Sequence, residues 1–323
     1  YTSFFQYFYS YSSMFIFPCP TMWMLPGQNQ SWVSEFILLS FSSDPTSNRI
    51  LFIAFLLLYL SSVLGNGLII TLICLDSHLH PPMYFFLSIL SLLDMDYVMT
   101  TIPQMLVHLI SSSKTISFAG CWLQMFVFGT TGLSKSIIFV VMAYDQYVTI
   151  CHPLRYTVIL TWDLCIRLAA GTWACGFFLS LIYTFSTMRL PYCGPNIINH
   201  YFCEGPSVRS LACMDTQLIE TVDLVISVFV LLPIFLILAS YISILKIKST
   251  QRCWKAFTCV SHLTVVTFFY TPAIYIYMRP NSIYSPELDN HISLFYNVLT
   301  ALLNPVVYSL RNKDIKVAFP KVM

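Results

Sequence analysis

The side chains that could carry out acid–base, nucleophilic or metal chemistry are sparse in this sequence. Its seven histidines show no His-x-x-x-His spacing on one predicted helix, and no pair of carboxylates has the spacing of a general acid and base. Neither a nucleophile beside a base nor a set of metal ligands is visible. We therefore expect a protein that is not an enzyme and that uses neither a metal ion nor an organic cofactor.

Three charged residues stand out because they interrupt long apolar stretches. Asp94 and Asp96 lie in one such stretch, and Lys135 lies in the next. Lys135 precedes Asp145 by about ten residues, or about 15 Å of helix, which puts it near the middle of a bilayer. A charge at that depth is costly unless it faces the interior of a helix bundle and is paired there. We predict that Lys135 forms an ion pair with Asp94.

The elements that must position these residues are membrane-spanning helices. Of the 323 residues, 57% are hydrophobic and only 9% are charged, whereas soluble chains are usually about a quarter charged. Barrel strands would alternate over roughly ten residues, and that pattern is missing. A net charge of +2 offers no broad basic surface, so nucleic acid is not an expected partner. Seven charge-poor stretches are long enough for a transmembrane helix, at 50–75, 83–107, 120–150, 168–188, 224–245, 256–278 and 292–310.

The basic residues predict how this all-α bundle of seven transmembrane helices is oriented. Lys and Arg are more frequent in the connections on one side, above all in the third connection on that side and in the C-terminal tail. Connections rich in Lys and Arg remain in the cytoplasm. We therefore expect the N-terminus outside and the C-terminus inside.

This orientation divides the chain into three parts. Residues 1–48 form an extracellular segment, in which 1–24 is atypical in composition and is expected to be disordered. Residues 49–312 form the seven-helix domain, and residues 313–323 form a short cytoplasmic tail. Asn29 begins an Asn-x-Ser sequon on the side predicted to be outside, and we expect it to be glycosylated.

Four of the eleven cysteines lie around the predicted outer end of the bundle. Cys121 begins the third span, and Cys193, Cys203 and Cys213 lie in the connection after the fourth span. Thiols that face the secretory lumen oxidise. Four oxidisable cysteines allow three pairings, and their spacing does not decide between them. Cys19 is left without an assigned role.

Several short motifs follow one another in a fixed order along the chain. They are Gly65-Asn66, Leu79-His80-Pro81-Pro82-Met83-Tyr84, Met142-Ala143-Tyr144-Asp145-Gln146-Tyr147, Ser240-Tyr241, Ser261-His262-Leu263 and Asn304-Pro305 with Tyr308. Proline has no N–H, so the last motif also predicts a break in the hydrogen bonds of the seventh span. The sequence with these motifs resembles the olfactory receptors, and the resemblance runs from Asn29 to Met323.

The resemblance implies a rhodopsin-like receptor of the plasma membrane with two partners besides membrane lipid. One is a small volatile odorant, and the other is a heterotrimeric G protein of the stimulatory olfactory type, which raises cyclic AMP. The resemblance selects disulfides between Cys121 and Cys203 and between Cys193 and Cys213. It assigns coupling and switching to Asp145, Gln146, Tyr147, Tyr241, Asn304, Pro305 and Tyr308.

The resemblance also places a sodium site near Asp94. Asn66, Asp94 and Lys135 are expected to be buried polar residues of the bundle. Because the Lys135 ammonium can pair with the Asp94 carboxylate, we predict that it takes the place of the sodium ion.

Stripes of residues at helical spacing predict a ligand pocket near the outer end of the bundle. For any single residue, core packing or lipid contact is the alternative, and the assignment as a set rests on the resemblance. None of the residues is charged, so we expect a small apolar ligand that hydrogen-bonds to Asn297 or to a tyrosine hydroxyl. The set is Phe128, Gly129, Gly132, Leu133, Val222, Val225, Ile226, Phe229, Tyr270, Ala273, Tyr277, Leu294 and Asn297.

Departures from the family pattern favour an alternative, a receptor-shaped protein with impaired or absent coupling. Gln146 stands where the family has the Arg that engages the G protein, and Lys135 stands where the family usually has Glu. The third inner connection is about four residues shorter than the family pattern, or about 6 Å of helix. A transporter or channel would show repeat-related broken helices and charged pathways, which this sequence lacks.

Overall fold

Seven long helices make up most of the described chain. A computed structural model describes residues 34–39, 44–111, 113–192, 196–213, 217–245, 252–278, 286–311, 315 and 317, with side chains described only in part beyond 213. Each long helix overlaps one predicted span, so the predicted all-α seven-helix bundle is confirmed. The helices are α1 (Pro45–Leu75), α2 (Pro82–Ile110), α3 (Phe118–Cys151), α4 (Trp162–Met188), α5 (Gln217–Leu245), α6 (Arg252–Tyr277) and α7 (Pro286–Arg311).

Several helices begin before the apolar stretch that predicted them, because their first turns are capped by polar residues. The Asp44 carboxylate accepts hydrogen bonds from the backbone N–H and the hydroxyl of Ser47, and these bonds lower the pKa of the carboxyl below its usual value. The Ser117 hydroxyl accepts from the N–H of Gly120, and Thr161 caps α4 in the same way. Such caps pair N–H groups that have no partner within the helix.

The bundle presents an apolar surface to its surroundings. Leu57 and Leu64 of α1, Phe178 of α4 and Phe235 of α5 are each at least 60% exposed. Among the described side chains, α1 to α4 are long and apolar enough to cross a membrane. Exposed leucine and phenylalanine on helices of this length fit a lipid environment, where no water competes for the backbone hydrogen bonds.

Helices α3 and α4 approach each other closely along a ridge of small residues. A Cβ atom on Gly176 would overlap the Ser134 hydroxyl of α3. The Ser180 hydroxyl donates to the carbonyl of Phe126 at 2.8 Å, which ties the helices together. Small residues allow such close backbone approach between membrane helices. The ridge consists of the buried residues Thr172, Gly176, Ser180 and Thr184, one at every fourth position of α4.

One end of the bundle is covered by a small three-stranded sheet that the sequence did not predict. Its strands are β1 (Glu35–Leu38), β2 (Thr115–Ser117) and β3 (Ile197–Ile198), in the order β2-β1-β3. Strand β1 runs antiparallel to β2 and parallel to β3, so it joins the first segment of the chain to two later connections. Phe36 and Leu38 alternate along β1 and are both buried in a hydrophobic cluster with the start of α3.

Candidate functional site

The end of the bundle that carries the sheet also carries a disulfide, and we call it the disulfide end. Cys121 at the start of α3 is bonded to Cys203, with 5.3 Å between the Cα atoms, which confirms the predicted pairing. Gln124, one turn further along α3, accepts from the N–H of Cys203 at 2.9 Å and donates to the carbonyl of Thr100 at 2.9 Å. The loop before α5 is therefore fixed to both α3 and α2.

Of the two cysteines in the second predicted disulfide, the structure describes only Cys213. Cys213 is disulfide-bonded, and its N–H donates to the carbonyl of Pro191 at 3.1 Å. An isolated β-bridge between the backbones of Tyr192 and Ala212 brings the same two loop segments together. Cys193, the predicted partner of Cys213, lies outside the described residues, as do Cys19 and Asn29. The pairing and the glycosylation therefore remain predictions.

The loop that follows α4 enters the bundle at the disulfide end. His200 and Phe202 are fully buried, and Tyr201 is 3% exposed. The Phe202 ring lies 4.8 Å from that of Phe128, and the Phe128 ring lies 4.5 Å from that of Tyr97 on α2. The sequence predicted Phe128 as a pocket residue but missed Tyr97, Tyr201 and Phe202, whose rings extend the same cluster. The aromatic run next to Cys203 was the signal that could have identified the loop residues.

Glu204 ties this loop to α6 and α7. Its carboxylate accepts from the Tyr277 hydroxyl at 2.6 Å and from the Ser293 hydroxyl at 3.2 Å. His200 Nε2 lies 3.2 Å from the same carboxylate. Burial lowers the pKa of His200 to about 3, although a hydrogen bond with the Phe202 backbone opposes the shift. The lowered pKa favours the neutral form of the imidazole in this contact.

The predicted pocket residues of α3 divide between two faces of that helix. Phe128 is buried beneath the loop, and Gly132 faces Tyr97 of α2, whose ring would lie 3.6 Å from an added Cβ. Gly129 lies instead against Ser180 of α4, so its missing side chain serves the close contact between α3 and α4. This position corrects the prediction that Gly129 leaves room for a ligand. Leu133 is half-buried.

The remaining predicted pocket residues come from three other helices. On α6, Tyr270 and Ala273 are buried, and Tyr277 reaches Glu204. On α7, Asn297 is fully buried and Leu294 is half-buried. On α5, Val222 and Ile226 are half-buried, whereas the side chains of Val225 and Phe229 lie outside the described set.

A buried ion pair lies deeper in the bundle. The Lys135 ammonium is 2.5 Å from Asp94 Oδ1, and neither side chain is exposed. Lys135 also donates to the Thr300 hydroxyl at 3.3 Å, and Asn304 donates to the other oxygen of Asp94. The ammonium lies 5.1 Å from the centre of the Phe269 ring. The structure thus contains the predicted pair and shows that it joins α2, α3 and α7.

The other predicted buried polar residue joins α1 to α7. The Asn66 amide donates to the carbonyl of Ala301 at 3.0 Å and to that of Ser62 at 2.9 Å. One residue earlier, a Cβ on Gly65 would lie 3.2 Å from the ring of Pro305. The Gly65-Asn66 motif therefore packs directly on the Asn304-Pro305 motif.

The opposite end of the bundle, which we call the Gln146 end, holds the residues predicted to couple and switch. Gln146 accepts from the Tyr241 hydroxyl at 2.8 Å, and that hydroxyl lies 2.6 Å from His262 Nδ1. These three side chains thus connect α3, α5 and α6. Asp145 accepts from the Tyr156 hydroxyl at 2.8 Å, in the short helix Tyr156–Ile159.

Two further residues predicted at this end are described in part. Tyr147 is half-buried, whereas the side chain of Tyr308 lies outside the described set. The third inner connection, 246–251, is likewise outside the described residues. Within the described part of the chain, no group of His, Cys, Asp or Glu could hold a metal ion.

Comparison with known proteins places this arrangement in a family. The crystal structure of squid rhodopsin matches with a TM-score of 0.68 over 87% of each chain and 16% sequence identity, which supports the fold alone. Human olfactory receptor 2A12 is 46% identical over 301 residues, covering 91% of this chain and 97% of the relative. The dog olfactory receptor-like protein OLF3 is 48% identical over 301 residues, covering 91% of this chain and 95% of the relative. The family profile described as olfactory receptor matches residues 55–323, and the chain therefore belongs to the olfactory receptor family.

Proposed function

We propose that this receptor binds a small, largely apolar odorant at the disulfide end of its helix bundle. The observation that carries this proposal is that three predicted pocket residues contact the buried loop that follows α4. Phe128 packs against Phe202, Tyr277 donates to Glu204, and Asn297 donates to Tyr201. Pockets between helices combine apolar walls with a few polar groups. Binding here requires no chemical conversion, and we propose no enzymatic activity.

The disulfide end faces the extracellular side of the plasma membrane in this proposal. The excess of Lys and Arg in the connections and tail near the Gln146 end supports this orientation. Residues 1–48 are then extracellular and carry a glycan at Asn29. Residues 49–312 form the receptor domain, and 313–323 form the cytoplasmic tail.

The Gln146 end then meets a heterotrimeric G protein of the stimulatory olfactory type, which raises cyclic AMP. A specific observation favours reduced coupling as the second candidate. Gln146 is neutral and accepts from Tyr241, whereas an Arg would offer a permanent cation with a forked set of donors. Charge-assisted contacts with the G protein are lost, so the chain binds odorant and signals weakly.

The test is a cyclic AMP assay of the surface-expressed chain against an odorant panel, in cells with and without the stimulatory olfactory α subunit. A small response that requires this subunit is expected. A response of equal size without the subunit would contradict the assigned G protein. Binding of odorants without any response would support the receptor-shaped candidate.

A further inference from the structure

The polar groups of the proposed pocket are largely engaged within the protein. Three polar residues belong to the predicted set. The Tyr270 hydroxyl donates to the carbonyl of Ser136 at 3.0 Å, and the Tyr277 hydroxyl donates to Glu204 at 2.6 Å. A phenol has a single O–H, so neither tyrosine has a donor left for a ligand.

Asn297, the third polar residue of the set, has one side-chain atom without a hydrogen-bond partner among the described residues. Its side chain is fully buried, and Nδ2 donates to the Tyr201 hydroxyl at 2.5 Å. Its Oδ1 has no hydrogen-bond partner among the described residues. Nδ2 has two N–H groups, and Tyr201 accepts from one of them. Turning the amide over would leave both N–H groups unpaired, and buried unpaired N–H groups are rarer in proteins than underused carbonyl oxygens. Among the described residues, Asn297 therefore offers a ligand the acceptor Oδ1 together with the second N–H of Nδ2.

The hydrogen-bond partner of Asn297 and its neighbour in the chain both belong to an aromatic cluster. The Tyr201 ring lies 4.8 Å from that of Phe202, which in turn lies 4.8 Å from that of Phe128. On α7, Tyr296 precedes Asn297 and its ring lies 5.6 Å from that of Tyr97. We therefore expect a ligand beside Asn297 to pack against aromatic rings, while the Asn297 amide determines the position of its polar group.

We infer that the receptor selects apolar ligands that carry a hydrogen-bond donor, namely alcohols, over ketones, aldehydes and esters of the same skeleton. A hydroxyl can donate to Asn297 Oδ1. The same hydroxyl can also accept from the second N–H of Asn297, whereas a ketone can only accept from that N–H and leaves Oδ1 unpaired. Sites built for a hydrogen bond reject analogues that cannot make it, because the buried polar group stays unsatisfied. The inference rests on the proposed ligand site.

The experiment measures direct binding, so weak coupling cannot hide the result. The full-length receptor is placed in lipid nanodiscs, and affinities are compared for menthol and menthone, borneol and camphor, and cyclohexanol and cyclohexanone. We expect at least one alcohol to bind about tenfold more tightly than its ketone, which corresponds to one net hydrogen bond. Asn297→Leu should bring the two affinities of that pair together.

A second variant tests the direction of the hydrogen bond. Tyr201→Phe removes the acceptor of Asn297 Nδ2 and frees its other N–H as well. A ketone oxygen can then accept from both N–H groups, so ketone binding should strengthen and the preference should shrink. This variant keeps the aromatic ring and tests the idea even if Asn297→Leu does not fold. Thr267→Val is the matched control, since the exposed Thr267 hydroxyl donates only within α6, to the carbonyl of Leu263, and its loss should leave both affinities unchanged.

The outcomes separate the inference from the proposed function. Equal binding of each alcohol and ketone, or tighter binding of the ketones, overturns the inference while leaving the ligand site in place. An alcohol preference that persists in Asn297→Leu also overturns it. Failure of every compound to bind a folded, disulfide-bonded receptor contradicts the ligand site, and the inference falls with it.

Discussion

The buried charges show how single residues are constrained in this bundle. Lys135 and Asp94 are tolerated within apolar helices because each neutralises the other and because Thr300 and Asn304 complete their hydrogen bonds. A buried ion pair adds little net stability, whereas removal of one partner leaves an uncompensated charge. The pair could be predicted from the sequence because a lone charge at that depth is so costly. Their two hydrogen-bond partners from α7 could not, since Thr300 and Asn304 lie more than 160 residues from Lys135 along the chain.

We predict that Lys135→Met and Asp94→Asn each destabilise the receptor by about 3–5 kcal/mol and that the double variant is less affected than either. The midpoint of thermal unfolding in detergent measures this. Arg167→Met is the control, because it breaks a pair with Asp163 that is more than 70% exposed and contributes about 1 kcal/mol or less. A double variant less stable than both single variants would contradict the pairing.

At the scale of elements, the contact between α3 and α4 determines how closely these two helices pack. Hydropathy predicted both spans but not the face that each presents. Small residues recur at every fourth position of α4, and this spacing was the available signal. Gly176 faces Ser134, whereas Gly171, five residues earlier on the same helix, has no atom within 4 Å of an added Cβ.

Gly176→Ala is expected to destabilise the receptor by about 1–3 kcal/mol, because the new methyl group overlaps α3. Gly171→Ala should be neutral or stabilising, since alanine favours a helix by about 1 kcal/mol over glycine. Both variants make the same substitution in the same helix, so the midpoints of their thermal unfolding can be compared directly. Equal effects of the two substitutions would mean that α3 and α4 are not closely packed at this position.

The disulfide between Cys121 and Cys203 connects α3 to the loop that enters the bundle. It closes a loop of sequence separation 82, for which the chain-entropy estimate is about 4–5 kcal/mol of stabilisation. We expect Cys203→Ala to abolish surface expression, as measured by flow cytometry of an epitope-tagged receptor. Cys175→Ala, which removes a free and half-buried thiol of α4, should have little effect. Normal expression of Cys203→Ala would contradict this prediction. It would mean that the hydrogen bonds of Gln124 position the loop without the disulfide.

For the molecule as a whole, the order and number of helices follow from composition, whereas the disulfide end does not. Seven spans could be predicted because each needs a long apolar stretch of its own. The sheet could not, since its three strands have at most four residues each and come from separate segments. The positions of Tyr201 and Phe202 likewise depend on long-range packing of a loop. The predicted set of pocket residues therefore lacks Tyr201 and Phe202, which pack next to several of its members.

Orientation is a property of the whole molecule that one sequon can test. We predict that glycosidase treatment of the expressed receptor increases its gel mobility and that Asn29→Gln removes this shift. The reason is that only an N-terminus in the secretory lumen meets the glycosylation machinery. A receptor whose mobility never responds to glycosidase would contradict the glycan at Asn29.

The central claim is that this chain is an odorant receptor whose coupling is weakened at the Gln146 end. The most direct measurement compares cyclic AMP responses to one odorant at matched surface levels. Three chains are compared: the unmodified receptor, Gln146→Arg, and Gln146→Arg with the third inner connection lengthened by one helical turn. We expect a partial gain from Gln146→Arg and a larger gain from the combination. An unmodified receptor that responds as strongly as the combined variant would contradict weak coupling.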